Sequence, residues 1–205
     1  VTRDNAAGVL AYWFGDAADD PQAASGRGSL WFGAGPRIDD EIRHRFGKLA
    51  GAAADGTLDD WREQPETCLA LIVLLDQFPR NIHRGTPGAF AQDARAFGIA
   101  AHAVGRGFPL RLTPPQQGFL LMPYEHSESR AVQRRSVALF EALARSAPPE
   151  WRQLTGGFAR YAREHAAIVE RFGRFPHRNA ILGRRSTAAE IDYLRRGAST
   201  FGQGG

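Results

Sequence analysis

The chain has 205 residues, 43% hydrophobic and 23% charged, with a net charge of +4. That length and balance suit one globular domain with a sizeable core. The single cysteine, Cys68, excludes a disulfide framework within the chain, and the longest apolar run, "LALIVLL" (69–75), falls far short of the roughly 20 residues that cross a bilayer.

Helical periodicity dominates from the start. The first helix ends near "YWFG" (12–15), with Trp13 and Phe14 pinning it to the body. Residues 15–35 read as the main surface loop, anchored by Leu30, Trp31 and Phe32. After Pro36, the residues Ile38, Ile42, Phe46, Leu49 and Ala53 trace one helix face. Pro65 opens a helix carrying "TCLALIVLL", apolar nearly all round and therefore central. Pro79, Pro123 and Pro176 each follow a helical pattern and are expected to stop or turn it.

Thr86-Pro87 and Thr113-Pro114 each pair a hydroxyl N-cap with proline at the first helical position. The first predicts a helix with Phe90, Ala94, Phe97, Ala101 and Val104 on one face. Val132, Ser136, Leu139, Phe140 and Leu143 mark a further helix after Ser127. Leu154, Phe158, Tyr161, His165, Ile168 and Phe172 mark the next. Thr187 with Glu190 fits a capping box, and residues 199–205 form a tail expected to fray. No stretch alternates as a strand does. The expectation is one all-α domain over 1–205, with seven to nine helices in stacked antiparallel pairs.

Two segments share a layout. "DQFPRNIHRGTP" (76–87) and "GRFPHRNAILGRRSTAAE" (173–190) each place Phe-Pro, then Arg, Asn and His, then a helix start; Phe78 and Phe175 are 97 positions apart. Each elbow delivers arginines near a helix N-terminus, where free N–H groups and the dipole favour negative charge, and the planar fork of arginine matches carboxylate or phosphate. If the elbows face each other they make an anion site. Arg80, Arg84, Arg174, Arg178 and Arg184 would hold the anion, with His177 beside them and Asp76, Asn81 and Asn179 orienting them. The competing reading is structural, with these arginines tying loops together through helix carbonyls and carboxylates such as Asp76, Asp93, Glu125, Glu128 and Glu170.

"MPYEHSES" (122–129) gathers Glu125, His126 and Glu128 after a helix stop, and His165 lies on an apolar stripe. These four are the candidates for moving protons; a cap with salt bridges, and a core histidine, are the plainer alternatives. The spacing matches no zinc signature. No phosphate-binding loop or Gly-x-Ser-x-Gly elbow is present. The expectation is therefore no metal and no cofactor. Lys48 is the only lysine and basic residues form no long run, so nucleic acid is not expected as a partner despite a pI near 9.8. With no membrane span and no signal-peptide pattern, the chain is expected in the cytoplasm.

"LLDQFPRNIHRGTPGAFAQDARA" (74–96), "MPYEHSES" and "ERFGRFPHRNAILGRRSTAAE" (170–190), with "YWFG" near the start, resemble the signature blocks of a bacterial uncharacterised-domain family, domain of unknown function nine-twenty-four. The resemblance implies an all-helical fold of the tetratricopeptide-like superfamily and brings no activity. Where the family often has an acidic residue shortly before Gln133, this chain has Arg130. The partner expected is a small anionic molecule or an acidic peptide in a helical groove, with the elbows as a purely structural device the remaining alternative.

Overall fold

Proline and hydroxyl residues punctuate the structure, a computed structural model that describes residues 3–33, 35–197 and 201. The described residues hold helices and no strand. Helix α1 (Arg3–Trp13) leads into a 3₁₀ turn, Gly15–Ala18. Residues 15–35 are then not the expected open loop. They form α2 (Pro21–Gly26) and α3 (Gly28–Trp31). The cause is local: the Asp20 carboxylate accepts the Gln22 N–H at 2.8 Å, and Pro21 opens the helix. Buried Trp31 fixes the segment, its Nε1–H donating to the Trp13 carbonyl at 2.8 Å.

Helix α4 (Pro36–Ala54) precedes the centre of the molecule. Pro65 opens α5 (Pro65–Ile72), as its position predicts. Every residue from Cys68 to Leu75 is buried, and burial pushes the Cys68 thiol up to about 12. The chain does not stop at Pro79. It passes through a π turn, Val73–Gln77, and continues as α6 (Phe78–Ile82). Proline has no N–H and its ring crowds the preceding turn; the wider turn, in which the Phe78 N–H reaches the Val73 carbonyl, makes room for it. Such turns are often found at functional sites.

Thr86-Pro87 opens only a 3₁₀ turn, Pro87–Phe90, and α7 (Asp93–Gly105) begins later than expected. The Thr86 hydroxyl donates to the His83 carbonyl instead of capping. Helix α8 (Pro114–Glu125) starts with the Gln116 side chain accepting the Thr113 N–H at 3.2 Å, without the expected hydroxyl cap, and carries Pro123 inside it, another proline that does not end its helix. Helices α9 (Arg130–Ser146) and α10 (Arg152–Phe172) pack along each other, and α8 lies against both. A side chain at Gly118 would meet the Phe158 ring at 2.3 Å, so the α8–α10 approach requires glycine there. Gly173, at φ +71°, ends α10 in the left-handed region. A 3₁₀ turn, Pro176–Arg178, follows, and α11 (Ala188–Arg195) begins with the Thr187–Glu190 capping box.

The main core joins α1, α5 and α6 to α8, α9 and α10 through Trp13, Phe14, Phe78, Phe119, Phe140 and Phe158. Trp13 meets Phe78 and Phe119 edge-on, each with ring centroids 5.6 Å apart. Each such buried side chain contributes about 2–3 kcal/mol. A smaller cluster of Ile168, Val169 and Phe175 anchors the second elbow. The frayed tail expected at 199–205 lies outside the described residues except for Phe201, which packs on His165. Among the described residues no helix is long and apolar enough to cross a membrane.

Candidate functional site

Asp93, the first residue of α7, joins the two elbows. One carboxylate oxygen accepts from Arg80 Nη1 and the other from Arg178 Nη1, each at 3.0 Å. Arg178 is buried, with its guanidinium 4.6 Å from the Phe90 ring centre and 4.5 Å from that of Phe175. Burial lowers its pKa to about 10, so it stays charged at neutral pH. Arg80 Nη1 also donates to the carbonyls of Asp76 and Ala89.

Beside this bridge opens a cleft of about 410 Å³. Arg80, Asn81, Arg84, Glu125, His126, His165, His177 and Arg178 line one part of it. Trp31, Phe32, Phe90, Met122, Phe158, Tyr161 and Phe201 supply the apolar walls. Phe32 is 50% exposed and Tyr161 39%; their rings stack with centroids 6.4 Å apart, at the solvent side. Phe201 stacks over His165 at 3.7 Å.

Asp76, brought inward by the π turn, is wholly buried behind the cleft. Its carboxylate accepts from His126 Nδ1 at 2.7 Å and from Gln77 Nε2 at 2.5 Å. Burial pushes this carboxyl up, but His126, Arg80 and the hydrogen bonds outweigh it and hold the group at about 2. Burial, helped by the Arg80 charge, lowers the His126 pKa despite Asp76. Burial lowers His165 further, and it lowers His177 to about 3. Burial, with the Asp76 charge close by, raises Glu125 well above the usual carboxylate range. Burial therefore favours the uncharged forms at the closed end, the Glu125 carboxyl and the imidazoles alike. Such a set can give a proton, take one or close on a cation.

The other predicted residues are engaged with carboxylates or hydroxyls, even where they border the cleft. Arg84 spans both oxygens of Asp39, at 2.7 and 2.9 Å, and Asn81 donates to the same carboxylate at 2.9 Å. Arg174 grips Glu190 at 2.7 and 2.8 Å. Arg184 grips Glu128 at 2.7 and 2.9 Å, and Glu128 also accepts the Phe175 N–H. Asn179 is buried and donates to the Ser186 hydroxyl. None of Arg174, Asn179, Arg184 and Glu128 lines the cleft. The helix ends expected to favour an anion also differ. The first elbow leads only to a 3₁₀ turn, and the N-terminus of α11 is satisfied by its own capping box.

The chain has relatives. The model of a family described as "Bacterial protein of unknown function (DUF924)" matches residues 9–198. The chain belongs to that family. A solved structure, a protein of unknown function, ATU0120, from Agrobacterium tumefaciens, is 36% identical, with a TM-score of 0.80 over 96% of this chain and 99% of that one. No match was found among curated proteins.

Sequence reasoning missed several parts of the cleft in this DUF924 member. Asp39 gave no signal as the partner of Arg84, 45 positions away; Asp93 stood among the carboxylates of the structural reading, but not as the partner Arg80 shares with Arg178, the latter 85 positions away. Phe32 and Phe201 sat in segments read as loop and tail. Tyr161 was legible, because it lies on the same stripe of α10 as Phe158 and His165.

Proposed function

We propose that the protein binds a small anionic molecule with an apolar or planar body in this cleft. The cavity volume falls in the range typical of small-ligand sites. Aromatic rings suit the body of the ligand, and the Arg80–Arg178 end suits its charge. The observation that carries the reading is the state of two buried atoms there: Arg178 Nε and His177 Nδ1 have no hydrogen-bond partner among the described residues. A buried donor without a partner costs about 1–3 kcal/mol, and a ligand oxygen would recover it.

A cleft walled by rings favours a small molecule over an extended acidic peptide. A purely structural role describes Arg84, Arg174 and Arg184, whose forks are closed on carboxylates.

The test is a thermal-shift screen with aromatic and aliphatic carboxylates, phosphates and nucleotides, since a ligand selective for the folded state raises stability. One anion class should raise Tm by several degrees. Phe32→Ala, at the exposed side of the cleft, should weaken the hit about tenfold, as should Arg178→Gln. A flat screen, or a hit indifferent to both substitutions, would sink the proposal.

A further inference from the structure

We propose that Glu125, His126 and His165 form a binding site for a divalent transition-metal ion at the closed end of the cleft. One ligand atom from each of the three lies within 4.8 Å of the others. A tetrahedral ion with bonds of about 2.0–2.1 Å spaces its ligands about 3.4 Å apart. The Glu125 carboxylate, at the end of a rotatable side chain, can cover the difference.

The hydrogen bonds of the two imidazoles point the same way. His126 Nδ1 faces the Asp76 carboxylate at 2.7 Å, and His165 Nδ1 faces the Tyr161 carbonyl at 2.9 Å. Both partners can only accept, so each ring carries its proton on Nδ1 and its lone pair on Nε2. An acceptor fixing the second nitrogen is the usual outer support of a metal-ligating histidine. The two rings are 6.0 Å apart at their centroids and inclined at 64°. The independent observation is Glu125 Oε2: the residue is 5% exposed, lines the cleft, and this oxygen has no hydrogen-bond partner among the described residues. The other Glu125 oxygen lies 4.0 Å from His126 Nε2, so a buried carboxyl group with an unsatisfied oxygen stands next to an imidazole lone pair, a pairing that a cation would complete.

Two imidazoles and one carboxylate suit zinc, ferrous iron, cobalt or nickel rather than magnesium or calcium, which take oxygen ligands. Three protein ligands leave a position open, and it faces the cavity. A bound metal ion displaces the Glu125 proton, and the carboxylates of Asp76, Asp93 and Glu125 then outnumber the guanidiniums of Arg80 and Arg178 by one. A dication reverses that balance and leaves a single positive charge for an anionic ligand to neutralise. The site goes beyond the ligand proposed above and does not depend on it.

The sequence hides this site because the ligands come from the end of α8 and the middle of α10, with no short spacing between them. The test uses the full chain, stripped with a chelator and titrated with zinc or cobalt alone. One ion should bind per chain, and cobalt should produce visible absorption bands. His165→Gln and Glu125→Gln should each weaken binding more than about 100-fold and abolish the bands. His44→Ala, an exposed histidine on α4, should change neither. Circular dichroism and Tm verify that each variant is folded. Glu125→Gln keeps the side-chain shape, so it remains informative if a histidine variant fails to fold. No ion retained by the wild type, or equal binding by wild type and both Gln variants, overturns the inference. Repeating the anion screen with chelator and with zinc separates the proposals. An anion hit in chelator without metal binding removes only the metal site, and metal binding with a flat screen removes only the ligand reading.

Discussion

The two elbows begin with nearly the same residues and fold differently. In the first, Phe78-Pro79 stays inside a helix, because a π turn ahead of it absorbs the proline. In the second, Gly173 breaks the helix in the left-handed region and Pro176 opens a 3₁₀ turn. Each nevertheless sends one arginine, Arg80 or Arg178, to Asp93, while Arg84, Arg174 and Arg184 close on Asp39, Glu190 and Glu128. Similar composition thus reaches a shared contact by different backbones. The arginines divide by what partners them, not by where they fall in the motif.

That division can be tested in order of expected effect. Asp93→Ala leaves Arg80 and Arg178 without their common partner in a buried setting and should cost about 3–5 kcal/mol in urea denaturation. A loss no larger than that of an exposed pair, about 0–1 kcal/mol, would mean the elbows do not depend on each other. Arg184→Ala removes the paired bonds to Glu128 and the bond to the Phe175 carbonyl. It should cost about 2 kcal/mol while leaving the cleft intact, as anion and metal titrations would show. Gly173→Ala meets no neighbour, so only the backbone conformation is penalised. It should cost about 1 kcal/mol, as should Gly85→Ala in the first elbow, where φ is +74° and a side chain again meets no neighbour.

A further effect concerns acid. Arg174, with the Thr187 cap, holds Glu190 at about 2 against an ordinary 4.5. A folded-state pKa below the unfolded one gives stability that is complete above about pH 4.5 and lost as pH falls towards 2. The Tm difference between wild type and Arg174→Ala should therefore shrink over that interval. A difference that stays constant would assign the Arg174 contribution to packing or to its bond with the Arg185 carbonyl.

The elements that sequence exposes are those decided within one turn of chain. The Thr187 box, the proline starts at Pro36, Pro65 and Pro114, and the stripe of α10 depend on near neighbours only. The π turn was not legible, because "VLLDQ" is equally apolar in either helical register and only the following proline distinguishes them. The short helices of 15–35 were hidden by their glycines and alanines, although Asp20-Pro21 carried a start signal. Within the site, residue types were legible and directions were not. Nothing near Arg84 or Arg178 in the chain distinguishes one closed on Asp39 from one that opens on a cavity.

Cys68, lodged in the centre of α5 with its thiol pushed to about 12, has a practical consequence. A thiol reagent reaches it only when the interior opens. The chain therefore carries a natural clock, in which the labelling rate of one sulfur atom records how often the middle of the molecule comes apart.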